Sequence, residues 1–291
     1  VGIEVDRFGR ILQASYGTDE VVIFSKGIEF ANKISGIPNP FDIAVDADGN
    51  IYVSSFGSDR IFRFQANGAA MGSFGKKGSG PGEFFGPEGL VISPDPYLYA
   101  VDCGNHRIQK FTMDGKFLMS FGVRGSQPGQ FMSPRSIAID RKPGSDEYTL
   151  LVMCERGNLL QRFDRFGNFL SVVPTADLQE PMDMDWFGER GLLFCTARGE
   201  LVAIQPGLDT TVRLMDEFGH PIVLDGMSGI AVDDEAGLIY VPNQTASELK
   251  VFRPGTLARK TLLNITDLDF EHYPYVGITL QVTTGGGEPI T

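Results

Sequence analysis

The 291-residue sequence is poor in the side chains that most often do chemistry: three histidines, three cysteines and one tryptophan. His106 lies in GNHR, His220 in FGHP and His272 in the C-terminal segment. A catalytic zinc needs three converging ligands and one open position, which such unlike contexts do not supply. An odd number of thiols cannot all pair within one chain. Cys103, Cys154 and Cys195, each on or just after an expected strand, therefore read as buried free thiols. No apolar run nears the roughly 18–20 residues that span a bilayer. No basic-then-apolar leader opens the sequence, and a chain beginning at Val1 is expected to be processed or a fragment. Positive charge is scarce, with 25 Lys and Arg against 37 Asp and Glu and a formal net charge of −12. That balance argues against a nucleic-acid or anionic-membrane binder, which needs a positive field. No Ser or Cys nucleophile has a credible His and acid beside it. The run Gly75–Gly82 lacks a GK[ST] and a following helix, so it is no phosphate loop.

Glycine (36) and phenylalanine (22) are plentiful, a pairing that suits tight turns alternating with packed strands. Pro40, Pro87, Pro134 and Pro181 stand 47 residues apart, opening PFDIAVDADGNIYV, PEGLVISPDPYLYA, PRSIAID and PMDMDWFGERGLLF. A period of this length marks a repeat architecture. Within the copy begun at Pro40, Ile43–Val45, Ile51–Ser54, Arg60–Phe64 and Ala69–Phe74 read as four strands. Asp48-Gly49 and Asn67-Gly68 are hairpin-turn signals between them. Four strands per unit with no amphipathic helix describe a propeller blade. Six units can be laid out, the first from GIEVD at Gly2 and the sixth from GIAVDDEAGLIYV at Gly229. The fourth carries an insertion, RKPGSDEY, at 141–148.

The wording P-x-x-I-A-V-D-x-D-G-N-I-Y-V, then D-x-G-N-H-R-I-Q-x-F, then F-G-x-x-G-x-x-x-G-x-F resembles the NHL repeat family, closely over residues 37–134 and in hydrophobic frame over 135–266. The resemblance implies an all-β, six-bladed propeller over 1–266 whose innermost strands are the I-A-V-D runs. Residues 267–291 form a separate strand and Gly-rich tail, with Tyr275–Thr283 as an extra strand carrying Tyr275, Val276, Ile278, Leu280 and Val282. Three placements are open for it: the outer edge of its own ring, a blade completed by upstream residues, or a sheet edge on another molecule.

The same resemblance places the loops joining second to third strands, and the inter-blade connections, on one binding face. Blades 2–4 bring Arg60, Lys76, Lys77, His106, Arg107, Arg124, Arg135 and Arg156 to it. Blades 1, 5 and 6 bring Asp19, Glu20, Glu200, Asp216, Glu217, Asp225 and Glu248. We read Arg60, Lys76, Lys77, His106, Arg107, Arg124 and Arg156 as candidate binding residues. Arg107 competes with a bracing role, because the family motif pairs it with the acid here at Asp102, whereas Arg60 has Ser55 in that slot. NHL-like amidating lyases hold zinc with three histidines, and only His106 occupies a matching place. Gluconolactonase-type propellers use channel carboxylates, but Asp6, Asp46, Asp140, Asp185 and Asp233 read as residues that turn the first hairpin at the opposite face. Asp46-x-Asp48-Gly49-Asn50 lacks the distal Glu of a calcium loop.

The expectation is a non-catalytic protein-interaction or assembly module without cofactor or metal, binding a protein partner or itself through the C-terminal strand. It would neither bind nucleic acid nor insert in a membrane. The alternative is a metal-dependent propeller enzyme of the two types just named. Sequons at Asn243 and Asn264 hint at an extracellular setting.

Overall fold

The computed structural model describes residues 2–141, 147–155, 160–175, 178, 180–187, 191–204, 211–215, 220–224, 226–243, 248–253, 261–265 and 280–281. It shows six antiparallel sheets in a ring, each a simple meander from an inner to an outer strand. Blade 1 lies between Ile3 and Ser35, blade 2 between Pro40 and Phe74, and blade 3 between Pro87 and Phe121. Blade 4 runs from Pro134 to Val173, blade 5 from Pro181 to Arg213, and blade 6 from Ala231 to Ile265. Among the described residues the one helical element is a 3-10 turn at Cys103–Asn105.

Burial falls from the second strand to the fourth, as radial packing demands. Second strands such as Ile51–Ser55 and Gly191–Thr196 are buried throughout, since both faces meet a neighbouring blade. Outer strands such as Phe30–Ser35 and Phe169–Val173 are largely exposed. The hydrophobic residues accordingly form six clusters, and each straddles one blade-to-blade junction. The cluster of Ile3, Ile11 and Val22 with Ala231, Tyr240, Leu249 and Val251 joins blade 6 to blade 1. Among the described residues blade 1 is built from the first four strands, and it meets blade 6 by side-chain packing.

The repeat wording has direct structural consequences. The third-to-fourth-strand hairpin of blade 2 closes over Gln65–Ala69, with Gly68 at φ 87° donating to the Gln65 carbonyl. A register shift at the start of this hairpin recurs in four blades, at Phe24, Phe64, Phe111 and Phe163. The expected Asn-Gly turn is therefore present, but within a longer, bulged loop. Leu280 and Gln281 pair with Ile265 and Asn264 on the outer edge of blade 6, the first of the three open placements. Tyr275, Val276, Ile278 and Val282 lie outside the described residues.

Candidate functional site: the loop face and channel mouth

Because every blade is a meander, the second-to-third-strand loops and the inter-blade connections share one face, termed here the loop face. Its connections are held by the F-G-x-x-G-x-x-x-G-x-F segments. The Phe84 N–H donates to Lys76 O and the Gly78 N–H to Phe84 O, and Phe131, Val123 and Gly125 repeat this one blade on. Phe84 packs with Phe111 at 5.5 Å and Phe131 with Phe163 at 5.3 Å between ring centres. The Gln of each R-I-Q or L-Q pair clamps the loop: Gln109 accepts from Gly82 N–H and donates to Glu83 O, and Gln161 does the same with Gly129 and Gln130.

Arg107 is a brace. Its Nε donates to Asp102 Oδ2 at 2.8 Å, and its Nη atoms donate to the carbonyls of Ser79, Gly80 and Glu83. Asp102 also accepts from Phe85 N–H, Asn105 and Gln109, while burial pushes its carboxyl upward. His106 sits in the left-handed region (φ 56°), and its Nδ1 accepts the Ser133 N–H at 3.2 Å. Asp19 and Asp59 hold the equivalent place in blades 1 and 2, also at positive φ, and accept from Asn39 and Gly86 N–H. The imidazole thus stands in for a carboxylate in fixing the residue before Pro134, as Asp19 and Asp59 fix those before Pro40 and Pro87. Burial, then the charge of Arg124, holds its pKa down.

Arg60, Lys77 and Arg124 are exposed. Arg60 donates to Ser73 Oγ, Lys77 lies 5.3 Å over the Phe85 ring, and Lys76 pairs with Glu83 at 3.1 Å. Arg156 lies outside the described residues. Of the acidic set, Glu20 pairs with Lys33 and Glu200 with Arg213. Asn243 is buried at the end of a second strand, which closes it to a glycan in the folded protein; the Asn264 side chain is outside the described set.

Sequence reasoning placed Arg135 on this face as a charge but missed what it forms with the residues that follow the other ladder prolines. Phe41, Glu88, Arg135 and Met182 ring the channel mouth on the loop face. Arg135 lies across that mouth: its Nε donates to Met182 O at 2.9 Å on blade 5, and its guanidinium sits 5.1 Å over the Phe41 ring of blade 2. Its Nη1 is 4.0 Å from Glu88 Oε2, an oxygen with no hydrogen-bond partner. Burial, opposed by Arg135, pushes Glu88 up to about 7. Phe41 continues into an aromatic arc, 6.5 Å from Phe56, itself 6.3 Å from Tyr16. The Gly86 Cα lies against Phe56, and Gly104 against Phe85, where any side chain would collide with the ring. Phe56 and Phe85 are nonetheless 41% and 50% exposed.

Below the mouth the channel is acidic. Asp42 accepts from Leu90 N–H on the inner strand of blade 3, and Asp183 from Ile230 N–H just before the inner strand of blade 6. Burial raises both carboxyls, and Asp183 raises Asp42 further from the opposite side of the ring. Glu4 is raised by burial and then by Asp185 and Asp42. Asp185 corrects the sequence reading. It falls at the register of Ala44, not of the turn residue Asp46, and so faces the channel, where it accepts from Val232 N–H at 2.8 Å and is pushed up to about 7 by burial. Asp6 and Asp46 do turn the first hairpin, accepting two N–H groups each, and Asp233 accepts from Ala236; Asp140 instead pairs with Arg162. Cys154 and Cys195 are buried and Cys103 partly so, all free. Among the described residues no three His, Cys, Asp or Glu side chains converge to hold a metal ion.

No family model matches the sequence, and no curated protein is similar to it in sequence. Solved structures similar in fold include a catalytically inactive virginiamycin B lyase from Staphylococcus aureus with quinupristin (14% identity, TM-score 0.63, 91% of this chain and 87% of that one). A streptogramin B lyase matches at 14% identity and TM-score 0.65 over 93% of this chain and 84% of that one. A chain of the nidogen/laminin complex matches at 14% and 0.68 over 86% and 91%. At such identity the likeness concerns the fold alone. The chain is a six-bladed β-propeller, an architecture shared by enzymes and by binding proteins.

Proposed function

We propose that this NHL-type propeller is a non-catalytic protein-interaction module that binds through its loop face. The observation that carries the reading is the exposed aromatic arc of Tyr16, Phe56 and Phe85, continuous with Phe41 and Arg135 at the channel mouth. Rigid aromatic side chains and arginine beside a pocket are what binding surfaces concentrate. Further support comes from His106, whose Nδ1 is committed to a backbone N–H. Peptides selected from a display library on the intact protein test the reading. They should lose binding to Phe56→Ala/Phe85→Ala and keep it with Phe166→Ala, an exposed ring on the opposite face. Ligands indifferent to the loop-face pair, or a tightly held metal that supports turnover, would overturn it.

A further inference from the structure

We infer that the loop face over blades 2–4 is built for an acidic segment carrying apolar side chains; this rests on the interaction-module reading. The observation is a local reversal of charge. The chain as a whole carries −12, yet Arg60, Lys77 and Arg124 stand exposed on this sector with no carboxylate in ion-pair range among the described residues. Among the described residues the other Lys and Arg side chains of this sector have partners: Lys76 pairs with Glu83, Arg107 with Asp102, and Arg135 donates to Met182 O with Glu88 nearby. Lys77 and Arg124 occupy the same place in successive repeats, one residue before the glycine whose N–H closes the loop on Phe84 or Phe131. They are therefore held at fixed positions along the arc. Rigid loops present them, so little ordering entropy opposes contact.

The apolar half of the surface lies beside these charges. Phe85 carries Lys77 on one face and is half exposed, Phe56 is exposed next to it across Gly86, and Val123 adjoins Arg124 at 61% exposure. A segment with alternating carboxylates and apolar side chains would set the former on Lys77, Arg124 and Arg60 and the latter on Phe56, Phe85 and Val123. Nucleic acid also combines negative charge with flat rings. Its uninterrupted phosphates, however, would meet the field of a chain of net charge −12, with three cations unpaired among the described residues of this sector to offset it.

The test uses a short fluorescein-labelled peptide in which Glu alternates with Phe and Leu. Its controls are the same peptide with Lys for Glu, the same with Ser for Phe and Leu, and a short oligouridylate. The expected result is saturable anisotropy change for the acidic apolar peptide only. It should weaken as salt rises and lose at least about tenfold in affinity on Lys77→Glu/Arg124→Glu. Both side chains are exposed, and unchanged melting temperature would confirm that the fold is intact. Tighter binding of the Lys peptide, still dependent on Phe56 and Phe85, would overturn the acidic partner and leave the interaction module standing. Oligouridylate binding lost on the charge reversal would replace the peptide by nucleic acid. No probe depending on Phe56, Phe85, Lys77 or Arg124 would overturn both readings.

Discussion

Arg135 Nη1 and Glu88 Oε2 face each other across 4.0 Å at the channel mouth, both largely buried and not hydrogen-bonded to one another. The gap is one a bridging water or ligand atom fills, and it leaves the carboxyl only partly compensated. Glu88 is accordingly pushed up to about 7. A folded-state pKa above the unfolded value means that the folded protein binds the extra proton. The stability contribution is then complete below the unfolded value of about 4.3 and is lost as pH rises to about 7. Glu88→Gln should flatten that slope, by up to about 1.4 kcal/mol per pH unit within the window. Denaturant melts between acid and mildly alkaline pH will show whether the two proteins diverge there.

Asp185 extends the argument into the channel. It is raised to about 7 by burial, with Asp183 and Asp234 pushing the same way. Its sign is therefore that of Glu88, with stability falling as pH climbs through neutrality. Asp185→Asn keeps an oxygen for the Val232 N–H and removes the charge. The variant should melt higher than the parent above neutral pH and close to it in acid. A lower melting temperature at every pH would show that the carboxylate itself is required.

The ladder prolines made the blades legible, and the strand limits of blade 2 agree with the wording to within about three residues. The channel mouth was not legible, although the same ruler points at it. Phe41, Glu88, Arg135 and Met182 are the residues immediately after those prolines, and they differ in every copy. Repetition advertises what packs, whereas a ring of unlike residues carries no periodic signal. Arg135 was visible as a charge but not as a bar across the channel, because its partners come from blades 2, 3 and 5. Asp185 was misread since the fifth copy places a second aspartate two residues before the turn register. His106 matched a metal-ligand place only through the resemblance to amidating lyases. Only the parallel with Asp19 and Asp59, which share its backbone conformation, assigns its Nδ1 to structure.

That parallel yields a substitution. His106→Asp restores the residue type that blades 1 and 2 use for the same N–H, and aspartate tolerates the left-handed conformation. The variant should fold with stability within about 1 kcal/mol of the parent, while His106→Leu leaves the Ser133 N–H without its acceptor and costs about 1–3 kcal/mol. The parent also carries a pH signature. With the histidine pKa held down in the fold, its contribution is present above the unfolded value of about 6.5 and is lost as pH falls through the lower folded value. Imidazole proton shifts followed by NMR will report that pKa directly.

Closure of the ring gives the last prediction. Blades 1 and 6 meet through Ile11, Val22, Tyr240 and Val251, and among the described residues no strand is shared between them. A closed ring shares its burial among six junctions, so weakening this one should cost as much as weakening an interior one. Ile11→Ala and Leu150→Ala remove fully buried side chains from the closing junction and from the junction of blades 3 and 4. Each is expected to cost about 2–5 kcal/mol. The mode of failure should differ. At the closing junction the chain can part without breaking any hydrogen-bonded strand pair inside a blade, so Ile11→Ala should speed amide exchange in blades 1 and 6 ahead of global unfolding. Leu150→Ala lies at a junction whose two blades are joined by the connection from Phe121 to Pro134 and should raise exchange throughout the ring together. Hydrogen exchange read by mass spectrometry separates the two patterns, and uniform protection in Ile11→Ala would show that the ends are latched by more than this cluster.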